Sequence, residues 1–259
     1  MTSRADIWVT RPAAQATNLL AALEAAGWSA VAVPTLAIVA AADSDALQRQ
    51  ARGQLAAANA AVFISRNAVD WLWRVLGDDA AALLAGKRLL AVGPGTAATL
   101  RERGFNDVVM PDAGADSEAL LARSELATPA GENIVIVRGR GGREKLATTL
   151  RERGAQVDYL EVYVRQHDET TQARLPQLWR EQPPAAIVVS SRAGLDALRA
   201  MTPAEWQPRL RATPLICLGE RLAATTAALG FRHCQAVAAG GGDAGIVAAL
   251  RQSLAVGHE

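Results

Sequence analysis

The chain repeats itself. IWVTRPAAQATNLLAALEAAGWSAVAVPTL (7–36) and IVIVRGRGGREKLATTLRERGAQVDYLEVY (134–163) run in one register, with Arg11 on Arg138, Leu23 on Leu150 and Gly27 on Gly154. VFISRNAVDWL (62–72) and VVSSRAGLDAL (188–198) do the same, setting Ser65, Arg66, Asp70 and Leu72 on Ser191, Arg192, Asp196 and Leu198. That second register continues through LLAVGPGTAATLRERGF and LICLGERLAATTAALGF, so Gly93, Gly104 and Phe105 meet Gly219, Gly230 and Phe231. A long register without insertions means that the paired stretches fold alike. The order along the chain is A, B, A′, B′.

Each unit alternates a short apolar strand with a helix. Leu19, Leu20, Leu23 and Ala26 make a helical stripe that Gly27 ends, and Leu146, Leu150 and Arg153 repeat the spacing before Gly154. The runs IVIV, AVFI, LLAV, AIVV and LICL are continuously apolar, as strands buried on both faces are. Such alternation builds parallel sheets covered by helices, an α/β architecture. The duplication implies two such lobes. Tandem pairing would join A to B and A′ to B′. The alternative joins B to A′ and lets A complete B′ across the chain ends. The extended stretches PTLAIVA (34–40) and YVRQHDE (163–169) sit at the same place in their repeats. Run antiparallel as a bridge, they require the second pairing.

Composition excludes several classes. Half of the 259 residues are apolar, enough for a real core and too many for general disorder. No window reaches the 18 or so uninterrupted apolar residues of a membrane span, and MTSRADIWVTRP has no leader-like apolar stretch. Two cysteines, Cys217 and Cys234, make no disulfide framework or zinc spacing, so a cytoplasmic location and no metal are expected. A net charge of +1 argues against a nucleic-acid partner. Of the 27 basic residues only Lys87 and Lys145 are lysines. Arginine suits carboxylate recognition, although the abundance of alanine accounts for the same bias through base composition.

Ligands of open α/β sheets bind at the carboxyl ends of the strands. Here those turns are Thr10-Arg11-Pro12, Ser65-Arg66-Asn67, Gly93-Pro94-Gly95-Thr96, Arg138 to Arg143, Ser190-Ser191-Arg192 and Gly219-Glu220-Arg221. Each is expected to open a helix, where free N–H groups and the helix dipole attract anions. Singly, each reads equally as an ordinary cap. Repeated along one edge of each lobe, they suit a polyanion held between the lobes. A conventional catalytic constellation is missing. Of the three histidines, His258 is terminal, His233 lies near a helix end and His167 stands in a connector. Neither GxSxG nor a phosphate-binding GxxxxGK[ST] occurs. Gly93 to Ala98 fits GxGxxA and Asp112 stands at a ribose-binding distance, but Pro94 removes an N–H and the duplicate copy keeps only Gly219. Cys217 and Tyr159 read as packing residues. Tyr163 stands where a strand meets the connector and can face a cleft as a proton donor.

The ordered series VTRPxxQxxxLxxxLxxxG, FISRNAV, VGxxTAxxLxxxGF, VRGxxGRxxLxxxLxxxGAxVxxxxVY, SSxxGL and LGxxxAxxxxxxGF resembles the uroporphyrinogen-III synthase family, from Ile7 to about Leu250. The resemblance implies two similar flavodoxin-like α/β lobes joined by a two-stranded β ladder. The first lobe is discontinuous (1–34 plus 170–259), the second spans 41–162, and 35–40 and 163–169 are the connectors. It implies a lyase of haem and tetrapyrrole biosynthesis, without metal or cofactor. The enzyme would cyclise hydroxymethylbilane with inversion of ring D and loss of water. It implies a cytoplasmic monomer with possible handover from the preceding pathway enzyme, and no nucleic-acid or membrane partner. By resemblance Tyr163 is the general acid. The substrate-binding positions are Arg11, Ser65, Arg66, Thr96, Arg138, Gly139, Ser191, Arg192, Arg221 and Leu222. Arg221-Leu222 stands where the family usually carries threonine, leaving backbone N–H groups as the contacts there. The alternative expectation is a non-catalytic bilobal protein that senses a small anion.

Overall fold

The computed structural model describes residues 6–237 and 241–255. The first five residues of the segment read for a leader, residues 238–240, and the last four with His258 lie outside them. Along the chain come β1 (Asp6–Val9), α1 (Ala13–Ala25), β2 (Ser29–Ala32), β3 (Leu36–Ala40), α2 (Ser44–Ala57), β4 (Ala60–Phe63), α3 (Arg66–Leu76) and α4 (Asp79–Leu84). Next are β5 (Arg88–Ala91), α5 (Pro94–Glu102), β6 (Val108–Val109), α6 (Ser117–Leu121), β7 (Asn133–Gly139), α7 (Lys145–Glu152) and β8 (Gln156–His167). The chain ends with α8 (Glu169–Glu181), β9 (Pro184–Val189), α9 (Arg192–Met201), α10 (Gln207–Ala212), β10 (Leu215–Leu218), α11 (Glu220–Ala228), β11 (Cys234–Val237) and α12 (Gly242–Ala255). No described helix is long and apolar enough to cross a membrane.

Two compact units result. One takes residues 1–37 and 166–259, the other 38–165. The A segment therefore packs with B′, and B with A′. Both breaks fall within the stretches 35–40 and 163–169, whose strands β3 and β8 are neighbours. β8 runs unbroken for 12 residues from Gln156 through Tyr163 to His167.

In the discontinuous unit the sheet order is β11-β10-β9-β1-β2, with every pairing parallel. In the continuous unit the order is β3-β8-β7-β4-β5-β6, parallel from β8 to β6. Each sheet thus sets the first strand of an A-type segment against the first strand of a B-type segment. Val9 pairs with Val188 in one, Val137 with Phe63 in the other. The winding direction reverses at that seam, which is the position in this fold class where ligands bind.

The apolar strands pack on both faces, as their composition demands. On β4, Ala61 and Phe63 join one core cluster and Ala60 and Val62 the other. On β1, Trp8 faces α8 and α9, while Ile7 and Val9 face α1 and α12. Truncating a side chain such as Phe63, fully buried, costs about 3–5 kcal/mol. The repeat glycines close the helices in one way. Gly27 and Gly154 have φ of 94° and 88°, and the next residues, Trp28 and Ala155, donate back to Leu23 and Leu150. Only glycine holds that left-handed cap without cost. Phe105 to Leu100 and Phe231 to Thr226 repeat the bond in the B-type segments.

Candidate functional site

The seam of the continuous unit gathers four elements. β4 ends at Phe63, and Ser65 caps α3 by accepting the Ala68 N–H at 3.2 Å. β7 ends at Gly139, and β8 brings Tyr163 alongside in register. A Cβ on Gly139 would lie 2.5 Å from Tyr163 Cζ and closer still to Cε2, so the ring rests directly on the glycine backbone. The Tyr163 hydroxyl lies 3.2 Å from Ser65 Oγ and accepts from Arg165 Nη2 at 3.3 Å. Tyr163 is 1% exposed, which corrects the expectation of a phenol standing open to a cleft. Strand alternation buries the ring and leaves its oxygen at the strand ends. Arg165 follows at the next same-face position of β8, with its guanidinium 5.6 Å from the Tyr163 ring centroid. It was missed in the sequence, where a period of two from Tyr163 could have found it.

Arg66 is an exposed cation at this edge, and no ion pair holds it among the described residues. Its guanidinium lies over Gly95 at the start of α5, where a Cβ would come within 2.7 Å of Nε. Asp112, the acid at the ribose-binding distance, is paired with Arg123. The Gly93–Ala98 loop is therefore a helix start beneath an arginine. Thr96 is 6% exposed and faces inward, so no hydroxyl is offered there.

Arg138 is a second correction. It lies in β7 and not at a helix start, it is 2% exposed, and α7 begins only at Lys145. Nε donates to the Gly139 carbonyl, Nη2 to the Gly141 carbonyl and Nη1 to Glu144, while the guanidinium stacks 4.4 Å from the Tyr159 centroid. With all three nitrogens engaged, the side chain braces the loop after β7. Glu144 accepts from the Tyr159 hydroxyl at 2.5 Å. That bond, and then Arg138, hold its carboxyl below the usual range, while burial first and the Glu144 bond second raise the Tyr159 phenol.

The seam of the discontinuous unit is built differently. Arg11 follows β1, donates to Ser190 Oγ at 3.2 Å and pairs with Asp243 at 2.7 Å. Ser191 caps α9 through the Gly194 N–H at 3.1 Å, and buried Thr35 donates to the Gly194 carbonyl at 3.0 Å. Arg192 pairs along its own helix with Asp196 at 2.7 Å. Arg221 is exposed on α11, whereas the Leu222 side chain belongs to the core and leaves only backbone to the edge. Asp243 carried no readable signal beyond its glycine-rich approach. Cys217 is buried in β10 and its thiol is pushed up to about 11, chiefly by that burial, which fits a packing residue.

Among the described residues, no group of three or more His, Cys, Asp or Glu could hold a metal ion. A groove of about 650 Å³ flanks the edge strand β6, lined by Lys87, Arg88, Met110, Asp112 and Arg123 among others. Its arginines are spent, Arg88 on Glu132 and Arg123 on Asp112 and Glu125.

Comparison with known proteins bears on the family and the fold. A family model described as uroporphyrinogen-III synthase HemD matches residues 17–241. A curated uroporphyrinogen-III synthase of Salmonella typhimurium is 32% identical over 232 residues, covering 88% of this chain and 92% of that protein. One from Escherichia coli is 32% identical over 143 residues, 55% of this chain and 58% of that protein. Two solved structures share the fold. A mutant uroporphyrinogen III synthase of Thermus thermophilus matches at TM-score 0.68 and 18% identity, over 97% of this chain and 99% of that one. The Helicobacter pylori enzyme matches at 0.60 and 16%, over 96% and 100%.

Proposed function

The chain belongs to the uroporphyrinogen-III synthase family, and we propose that it closes hydroxymethylbilane to uroporphyrinogen III on the carboxyl edges just described. It is a cyclising lyase. The single observation that carries the site assignment is the Tyr163–Ser65 pair held on Gly139 at the reversal seam. A phenol beside the strand ends where this fold class binds ligands supports the reading of Tyr163 as the acid.

The substrate carries eight carboxylates, and the edges answer that charge. Arg66, Arg192 and Arg221 stand exposed at the starts of α3, α9 and α11, where helix N–H groups add to their pull. Arg11 adds a guanidinium already shaped to hold a carboxylate, since Asp243 occupies it now. Arg138 and Gly139 contribute by shaping the loop and seating Tyr163. Much of the reactivity lies in the substrate, which cyclises unaided to the wrong isomer, so the protein's main task is to fix its fold. Tyr163 protonates the departing hydroxyl, the C–O bond breaks with its electron pair leaving as water, and an azafulvene cation remains. Ring D attacks through its substituted carbon to form the spiro intermediate. Reopening and reclosure invert that ring, and the ring proton lost as aromaticity returns goes back to the phenolate.

We further propose a cytoplasmic monomer that receives its labile substrate by handover from the enzyme making it. Incubation with hydroxymethylbilane, oxidation and isomer analysis test the activity. Type III porphyrin in excess of the type I background is expected, and type I alone would return the chain to the anion-sensing alternative.

A further inference from the structure

We propose that Arg165 is a positioning residue for proton transfer, acting through the Tyr163 hydroxyl. The inference rests on the reading of Tyr163 as the acid and adds a residue to it.

A guanidinium only donates. At 3.3 Å from Tyr163 Oη, Arg165 Nη2 must therefore give its hydrogen to the phenol oxygen. That occupies one lone pair and turns the single phenol proton away from Arg165. The group on the other side is Ser65 Oγ, at 3.2 Å. Ser65 already accepts from the Ala68 N–H and keeps its own proton free to reorient. Turned from Arg165, the phenol proton faces the side of Ser65, Arg66 and the start of α3, and either oxygen of the Tyr163–Ser65 pair can donate to the other. When the phenol proton moves to the departing hydroxyl, the oxygen left behind is a phenolate whose resting partner is a cation. The bond to Arg165 then becomes charge-assisted at both ends, and such bonds are roughly twice as strong as neutral ones. The stabilisation grows as charge develops, which is the condition for lowering a barrier and not merely a binding constant. The proton returns when ring D rearomatises, so the cycle balances with one water lost.

Arg165 is exposed, whereas Tyr163 is 1% exposed and pinned on Gly139. Removing the guanidinium therefore leaves the core untouched. The neighbouring charges on this face are Glu161, which accepts from the Gly141 N–H, and Arg140, which pairs with Glu161, so neither competes for Arg165.

The test is a cycle of variants in the full chain, read by kcat and KM with isomer analysis. Arg165→Met keeps the stem and should lower kcat about tenfold, the low end for a hydrogen bond to a charged group, with KM within about twofold. Arg165→Lys should recover most of the loss. In a Tyr163→Phe background Arg165→Met should cost nothing further, because the oxygen it serves is gone. A loss that persists undiminished in the Tyr163→Phe background overturns the proposal and makes Arg165 a direct carboxylate contact, as would a rise in KM alone. Unchanged kcat in Arg165→Met also overturns it. Failure of the parent reading is separate: the unmodified chain would then give no type III isomer, or Tyr163→Phe would be as fast as the parent.

Discussion

The same repeat produces two unlike seams. In the discontinuous unit Pro12 follows Arg11 and Leu36 stands at the sequence counterpart of Tyr163. In the continuous unit those places hold Gly139 and Tyr163, and the loss of one Cβ lets the ring lie on the chain. A second exchange sets strand length. Pro34 stands where Glu161 stands in the other copy; it has no N–H to pair, so β2 stops at Ala32 while β8 runs on to His167. The arginines diverge with them. Arg11 is held by a carboxylate and a hydroxyl, while Arg138 is consumed by backbone carbonyls and Glu144. One seam ties its guanidinium to an aspartate and a serine, and the other seats a buried phenol on a glycine. The frame is shared, and a few side chains divide the two seams.

That division can be broken most forcefully at Gly139. Gly139→Ala must displace the Tyr163 ring, so kcat should fall at least as far as in Tyr163→Phe, with overpacking costing about 1–3 kcal/mol of stability. Pro12→Ala, its counterpart, should leave kcat near that of the parent. Steady-state rates and melting curves on both read this directly, and equal kcat for Gly139→Ala and parent would dissolve the contrast. Next in size is Tyr163→Phe. A general acid contributes typically about 10²–10⁴-fold, and because this substrate reacts unaided the loss should sit at or below that range, roughly tenfold or more, with type III still the product. Tyr159→Phe is its control, losing only the Glu144 bond and little rate.

The binding half of the contrast predicts smaller effects in a different parameter. Arg11→Gln and Arg66→Gln should raise KM more than they lower kcat. Their difference from the parent should narrow as salt is raised, since screening weakens what the parent gains. A kcat effect without a KM effect would move these arginines to the chemical side. Smallest is a pH effect on the loop after β7. Glu144 titrates below its ordinary value, so its contribution to stability is present above the unfolded carboxylate pKa and disappears as pH falls through the lower folded one. Glu144→Gln should therefore lower the melting temperature slightly at neutral pH and converge with the parent in acid.

The architecture was legible because it rests on periodicity. Apolar runs gave buried strands, glycine stops gave helix ends, and the two registers gave two units. Much of the site was legible as positions but not as roles. Ser65 and Ser191 look identical in sequence, yet only Ser65 meets a phenol, because that contact depends on what β8 brings across the seam. Arg138 and Arg11 likewise share a column, but a burial that leaves Arg138 only 2% exposed follows from the neighbours Tyr159 and Glu144, which no register reveals. Thr96 was assigned by resemblance as a hydroxyl position, and helix rotation turned its side chain inward.

The discontinuous unit has a cost in time. Its interior strand β1 leaves the ribosome first, yet the Thr10 hydroxyl finds its partner, the Val188 carbonyl, only across 178 residues of chain. Residues 38–165 are complete before that partner exists. At ordinary synthesis rates the intervening stretch takes on the order of ten seconds to make. During that interval β1, fully apolar from Ile7 to Val9, has β2 on one side and nothing on the other. An open strand edge of that kind is what chaperones recognise and what aggregates recruit. The order of segments that lets one unit fold early thus leaves the other waiting for the end of its own translation.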